Sequence, residues 1–84
     1  MKQTQYTPDQ ITKIVRISML FNEDPDTYMD GIVHWYLKDK GEVMLDFNSN
    51  EVHMIDFVGS TLDYCCVEGI TKGMEIGDYY NEEN

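Results

Sequence analysis

The spacing of the apolar residues changes partway along the chain, and this change limits the fold more than any other feature. Over residues 8–21 they recur with the helical period of about 3.6 residues, and over residues 31–47 they alternate with a period of two. One chain therefore contains a helical segment followed by strands. The sequence predicts an α+β fold. An N-terminal helix is followed by a β-hairpin, with or without a third strand, and then by a second helix that packs on this small antiparallel sheet.

The first helix has a clear start signal. Thr7-Pro8-Asp9-Gln10 supplies a capping hydroxyl, a proline at the first helical position, an acid in the first turn and a glutamine three residues after the cap. These residues predict a helix from Pro8 to Phe21. Two apolar residues, Ile17 and Leu20, lie off its main stripe, and we interpret them as either covered by the chain or part of an interface. The predicted buried stripe consists of Ile11, Ile14, Val15, Ser18 and Met19.

Residues 22–31, NEDPDTYMDG, form an acidic break after this helix. Asp24, Asp26 and Asp30 fit positions 1, 3 and 7 of a calcium-binding EF-hand loop. Positions 5 and 12 of that loop would be Tyr28 and Trp35, so the bidentate acid is missing. The segment is therefore predicted to be a solvated turn, and no metal site is predicted.

A β-hairpin is predicted for the segment that follows. Asp39 and Lys40 suit the centre of its turn, and Gly41 suits the left-handed residue after that turn. Trp35 is predicted to point into the core. The residues predicted to share its side of the hairpin are Val33, Leu37, Val43, Leu45 and Phe47.

Two interpretations fit residues 50–71. The apolar spacing is compatible with one long helix, although Gly59 would weaken it by about 1 kcal/mol. Alternatively, residues 51–58 form a third strand and Gly59-Ser60 begins a shorter helix. A helix over residues 60–70 is predicted in both cases, and the choice between helix and strand for residues 51–58 remains open.

Length and cysteine content indicate one domain without a disulfide. A chain of 84 residues buries only about 60–65 % of its unfolded surface. Cys65 and Cys66 are adjacent and cannot close a loop between distant segments, so a disulfide framework is excluded and a cytoplasmic location is predicted. The pair is predicted to be two small core residues, and a redox switch through a vicinal disulfide is the alternative. The prediction is a single domain over residues 1–76 and an acidic tail over residues 77–84. No apolar run reaches the roughly 18 residues of a membrane span.

Acidic side chains are concentrated in the second half of the chain. The formal net charge is -10, and residues 41–84 contain ten acidic residues and one basic residue, Lys72. Such a field favours a basic protein partner and disfavours direct binding of nucleic acid, which needs cations to neutralise phosphates. An acidic surface also keeps proteins soluble, and this is the competing interpretation.

The candidate binding residues come from this acidic half. On the helical interpretation, Asp56 and Asp63 share one outward stripe, and acids beside exposed aromatic side chains suit a protein interface. Phe57 and Tyr64 are equally compatible with burial under the C-terminal residues. The predicted partner-binding residues are Glu42, Asp46, Asp56, Phe57, Asp63, Tyr64, Glu68, Glu75, Asp78, Tyr79 and Tyr80.

Motifs for catalysis are absent from the sequence. It contains no glycine-rich phosphate loop, no His-Glu-x-x-His, no Cys-x-x-Cys and no nucleophile elbow, and His34 and His53 stand alone. We therefore expect a protein that is not an enzyme and that uses no cofactor.

In size, charge and layout the chain resembles the small acidic phage proteins that inhibit host defence or DNA-handling enzymes, including some anti-CRISPR proteins. The resemblance rests on the capped helix, the hairpin turn Lys38-Asp39-Lys40-Gly41 and the acidic, tyrosine-bearing segment after it. It implies a protein of the host cytoplasm that occupies a DNA or RNA channel, or another functional surface, of an effector complex.

The predicted function is therefore that of an acidic inhibitor that covers a basic, nucleic-acid-binding surface of a target protein, with nucleic-acid mimicry as one route. The alternative is a homo-oligomeric or regulatory interaction module, such as a homodimer, whose acidity only maintains solubility. In that case Ile17, Leu20 and exposed aromatic residues would form the contact.

Overall fold

The computed structural model of the chain describes residues 5–77. Within this range the strands form one sheet in the order β1-β2-β3-β4-β5. The pairs β1–β2, β2–β3 and β3–β4 are antiparallel, whereas β4–β5 is parallel. The predicted α+β class is confirmed, with a five-stranded mixed sheet instead of a hairpin and one further strand. The elements are α1 (Pro8–Phe21), β1 (Thr27–Met29), β2 (Ile32–Leu37), β3 (Gly41–Asp46), β4 (Glu51–Ile55), α2 (Thr61–Ile70) and β5 (Glu75–Gly77).

Helix α1 begins and ends where the sequence predicts. The backbone N–H of Gln10 donates to Thr7 Oγ1 at 3.1 Å, and the Thr7 N–H donates to Gln10 Oε1 at 2.9 Å. This reciprocal pair satisfies two amides that the first turn leaves without helical partners. The helix ends at Asn22, which adopts the left-handed conformation with φ of 57°.

The face of α1 that meets the core differs from the predicted stripe. Ile14 is buried as expected, but Ile17, which was predicted to lie off the stripe, is fully buried. Three members of the predicted stripe are exposed instead: Ile11 at 49 %, Val15 at 48 % and Met19 at 73 %. The helix is apolar on two adjoining sides, and the side centred on Ile17 packs on the sheet.

The β2–β3 hairpin is confirmed, with its turn shifted by one residue. Lys40 N–H donates to Leu37 O at 3.2 Å, so Lys38 and Asp39 stand at the turn centre, instead of Asp39 and Lys40. Asp39 has a left-handed φ of 65°. Gly41 has a positive φ of 119°, as its predicted position after the turn requires.

The open question over residues 51–58 is resolved in favour of a strand. β4 pairs with β3, and the chain then turns at Asp56, whose φ is 49°. Ser60 caps α2 by accepting from the Asp63 N–H at 3.1 Å, so the second helix is the shorter one. Of the two cysteines that were predicted to be core residues, Cys65 is exposed.

Strand β5 has no counterpart in the sequence-based interpretation. It lies beside β4 with Glu51 opposite Glu75, Val52 opposite Ile76 and His53 opposite Gly77. The predicted tail over residues 77–84 lies outside the described residues, apart from Gly77.

Both helices cover the same face of the sheet. Alternate strand residues on that face, including Trp35, form one buried cluster with Ile14, Ile17 and Val67 from the helices. Trp35 Nε1 donates to Ser18 Oγ at 3.2 Å, which fixes α1 over β2. The opposite face of the sheet has neither helix on it. The remaining members of the cluster are Val33, Leu37, Val43, Leu45, Val52, Met54 and Phe57.

The chain after β4 crosses the start of β3 at very short range. A methyl group added at Gly41 would lie 2.6 Å from Asp56 O and 2.8 Å from Phe57 Cα. We predict that Gly41→Ala lowers the free energy of unfolding by about 2 kcal/mol or more, because it adds both backbone strain and a clash. Urea denaturation followed by circular dichroism measures the change.

Gly69 provides the matched control, since a methyl group added there meets no atom within 4 Å. Gly69→Ala in α2 should raise the free energy of unfolding by about 0.5–1 kcal/mol, because alanine favours helix. Equal stability of the two variants would show that the crossing at Gly41 is not as close as described.

Candidate protein-binding face

The face of the sheet that points away from α1 and α2 is the strongest candidate for a binding surface. We call it the open face. Side chains alternate along a strand, so its members follow from the pairing register and from the buried positions between them. They are Thr27 and Met29 of β1, Ile32, His34 and Tyr36 of β2, Glu42, Met44 and Asp46 of β3, Glu51, His53 and Ile55 of β4, and Glu75 and Gly77 of β5.

Three carboxylates lie directly opposite one another across this face. Asp46 of β3 is opposite Glu51 of β4, which is opposite Glu75 of β5. Neighbouring strands are about 4.8 Å apart, so the two outer residues are separated by about 10 Å. We call these three residues the acidic row. Like charges directly opposite each other destabilise a sheet, so the row weakens the fold.

The contacts of the acidic row offset its negative charge only in part. Asp46 accepts from the backbone N–H groups of Asn48, at 2.9 Å, and Ser49, at 3.2 Å, which anchors it in the β3–β4 turn. Glu51 Oε1 lies 3.1 Å from His53 Nε2. Glu75 is exposed on the edge strand. Within residues 5–77 no lysine or arginine forms an ion pair with any of the three.

Permanently charged basic side chains are missing from the described part of the sheet. None of the five strands described contains a lysine or an arginine. Two lysines form ion pairs with carboxylates among the described residues, Lys13 on α1 and Lys40 in the hairpin turn. The open face therefore presents a negative field that a basic partner would neutralise.

A small aromatic cluster lies at the β2–β3 end of the open face. The rings of His34 and Tyr36 are stacked with centroids 4.3 Å apart. His34 Nε2 lies 2.9 Å from Glu42 Oε1, and Tyr36 is 53 % exposed. An exposed ring beside a carboxylate is suited to a guanidinium group, which stacks on the ring and pairs with the acid.

Three of the predicted binding residues, Glu42, Asp46 and Glu75, lie together on the open face. Glu68 is exposed on α2, in the other layer of the fold. Asp78, Tyr79 and Tyr80 lie outside the described residues.

The predicted stripe of Asp56 and Asp63 does not exist, because no helix contains both residues. Asp56 is exposed in the turn after β4, whereas Asp63 is in the first turn of α2. The aromatic residues predicted beside them are not exposed either. Phe57 is fully buried, with its ring centroid 6.0 Å from that of Phe21, and Tyr64 is half-buried against the core.

Asp63 has a structural role that the sequence-based interpretation missed. Its Oδ2 accepts from Lys40 Nζ at 3.0 Å and from the Ser60 N–H at 3.3 Å, which joins α2 to the hairpin turn. Burial by itself raises the pKa of Asp63, but the hydrogen bond and charge of Lys40 and the hydrogen bonds with Ser60 outweigh it and lower the pKa. A charge reversal at Asp63 would therefore disturb the fold.

Glu51 and Tyr36, which the acidic row and the aromatic cluster depend on, were not among the predicted binding residues. Glu51 was missed because residues 51–58 had no assigned structure, so its position opposite Asp46 was not defined. The exposed position of Tyr36 could have been predicted, since it alternates with the buried Trp35 and Leu37 in a strand that the sequence indicates.

Of the residues proposed for a symmetric contact, the two on α1 are covered wholly or in part, whereas the aromatic residues Tyr28 and Tyr36 are 56 % and 53 % exposed. Ile17 is fully buried, and Leu20 packs against the core. Their place on the surface of α1 is taken by Ile11, Val15 and Met19.

Comparisons with known protein families, with curated proteins and with solved structures find no match for this chain. Within the described residues, no three His, Cys, Asp or Glu side chains are placed so that they could hold a metal ion. Neither of the helices in residues 5–77 has the length and apolar character needed to cross a membrane.

We predict that Asp63→Asn destabilises the protein at neutral pH and not at low pH. A carboxyl with a lowered pKa in the folded state contributes stability above its unfolded value of about 3.9, and this is lost as pH falls through the folded pKa. The loss at pH 7 should be about 0.5–1 kcal/mol, from the exposed ion pair with Lys40 and the charge in the first turn of the helix. Urea denaturation at pH 7 and at a series of lower pH values down to about 2 tests this, with Glu68→Gln on the same helix as control. An effect of the same size at every pH would mean that the charge of Asp63 is not involved.

A second variant tests the charge repulsion within the acidic row. Glu75→Gln removes one like-charge contact with Glu51, so it should raise the free energy of unfolding by about 0.2–1 kcal/mol at low salt. The gain should shrink at high salt, where charges are screened. Glu68→Gln makes the same change of net charge outside the row, and a gain as large in that variant would assign the effect to net charge alone.

Proposed function

We propose that the chain is an acidic protein-binding inhibitor whose open face covers a basic surface of a target protein, of the kind that nucleic-acid-binding proteins use. The target's lysine and arginine side chains would pair with the acidic row of Asp46, Glu51 and Glu75. Nucleic acid would then be excluded from that surface.

The observation that supports this proposal most strongly is the acidic row itself. Its three carboxylates repel one another in the free domain, and the described strands carry no lysine or arginine to offset them. A basic partner replaces this repulsion with attraction, so part of the binding energy comes from relief of a cost already present in the free protein.

The cluster of His34, Tyr36 and Glu42 supports the same kind of partner. Charge steers association and fixes the orientation of the partner, and aromatic contacts add buried area. Tyr36 provides such a surface next to the Glu42 carboxylate. Arginine, which combines charge with a planar stacking group, is the side chain best matched to this end of the face.

Nucleic-acid mimicry is one form that this inhibition would take. A phosphate backbone presents negative charges at regular intervals, and the acidic row presents carboxylates at the regular spacing of neighbouring strands. This agrees with the resemblance to small acidic phage inhibitors, for which the target would be an effector complex in the host cytoplasm. Under this proposal the protein itself binds no nucleic acid.

The proposal predicts that one charge reversal on the open face weakens binding far more than the same reversal elsewhere. The partner is first isolated from a cell lysate with the full chain as bait and identified by mass spectrometry. Glu75→Lys should then weaken its binding by about 2 kcal/mol or more, whereas Glu68→Lys on α2 should have a small effect. Biosensor measurements give both affinities.

Salt and competition complete this experiment. The on-rate of the wild-type protein should fall steeply as ionic strength rises, and DNA or RNA should compete for the target. If the two charge reversals weaken binding equally, the effect comes from net charge and the open face is not the contact. A salt-independent on-rate without competition by nucleic acid would leave the acidity as a means of solubility.

A further inference from the structure

A groove lies between helix α1 and the segment that leads into β1, on the helical side of the molecule. It is open to solvent and has a volume of about 430 Å³. Val15 and Met19 form one wall, and Pro25 and Tyr28 contribute to the other. These residues belong neither to the open face nor to the buried core.

The apolar wall of this groove continues along α1. Ile11, Val15 and Met19 recur every four residues and are 49 %, 48 % and 73 % exposed. They form a ridge of about 12 Å along the helix axis. A ridge of this spacing is the surface against which a second helix packs. Tyr28, 56 % exposed, extends the apolar surface beyond the helix.

One end of the groove is strongly negative. Glu23 and Asp24 line it directly after α1, and within the described residues neither forms an ion pair. The C-terminal end of a helix carries partial negative charge, and the last turn of α1 contains no basic residue to compensate it. An occupant with lysine or arginine at this end is therefore favoured.

We propose that this groove binds an amphipathic helix of a partner protein. Apolar side chains of that helix would lie against Val15, Met19 and Tyr28, and a lysine or arginine would lie beside Glu23 and Asp24. This inference does not depend on the proposed function, because it uses the other side of the molecule.

Charge favours such a helix over a second copy of this chain. Each copy has a formal net charge of -10, so a dimer brings two strongly negative molecules together. Both copies would also present the same acidic groove end. A basic helix, in contrast, meets the apolar ridge and neutralises its charged end.

The probe is a synthetic 14-residue peptide of leucine and lysine, with leucines placed on one side of a helix. It is titrated into the full-length, ¹⁵N-labelled protein, and backbone amide shifts are recorded. Two control peptides replace lysine with glutamate or scramble the order of residues. We expect saturable shifts concentrated in residues 14–28 with the first peptide, and none with either control.

Two surface variants make the assignment specific. Met19→Ser should weaken binding of the peptide about fivefold to tenfold, since it removes an exposed apolar side chain from the ridge. Leu62→Ser is the matched control, because Leu62 is 70 % exposed on α2 and lies outside the groove. It should leave the affinity unchanged. Glu23→Gln with Asp24→Asn should weaken binding and reduce its dependence on salt.

Several results would overturn the groove as a helix-binding site. Shifts confined to residues 42–55 and 75–77 would place the peptide on the open face and support only the proposed function. Equal binding of the scrambled peptide, or an equal loss in Met19→Ser and Leu62→Ser, would show that no defined site exists. A wild-type dimer in sedimentation equilibrium that Met19→Ser abolishes would make a second copy the occupant.

Discussion

The close crossing of backbone at Gly41 determines how the second half of the chain is arranged. Residues Asp56 and Phe57 pass over the start of β3 at a distance that leaves no room for a side chain, and Val58 N–H donates to Lys40 O at 2.6 Å. The crossing directs Phe57 into the core and brings Asp63 to Lys40. Helix α2 then returns across the sheet, and β5 can pair with β4 in parallel. The acidic row, which needs β5, therefore depends on a glycine at the start of β3.

Local signals predicted the first half of the fold and failed where distant contacts decide the outcome. The capping residues defined α1, and alternation around Trp35 defined the hairpin. The prediction of the buried side of α1 was wrong because two adjoining sides are apolar, and only packing on the sheet selects the side centred on Ile17. Residues 51–58 carry apolar side chains at spacings that suit both helix and strand. Pairing with β3 decides between them, and β5 forms only because β4 offers an edge.

The same limit applies to the candidate site, where charge was predictable and placement was not. Glu42, Asp46 and Glu75 were expected to bind a partner, but only the register brings Asp46 and Glu75 into one row with Glu51. Two like-charge contacts cost at most about 2 kcal/mol. Burial of one aromatic side chain such as Phe57 contributes about 1.5–3 kcal/mol, so the core tolerates the row. The acidic row is thus compatible with folding without contributing to it.

The acidic row and the groove beside α1 point in opposite directions, because the helices cover one side of the sheet and the row lies on the other. Their contacts also differ in kind. Ion pairs at the row weaken as salt screens the charges, whereas apolar contacts along Val15 and Met19 depend much less on salt. A flat partner surface can reach only one side of a two-layer domain. Use of both surfaces at once therefore requires either two partners or one partner with a cleft that encloses the domain.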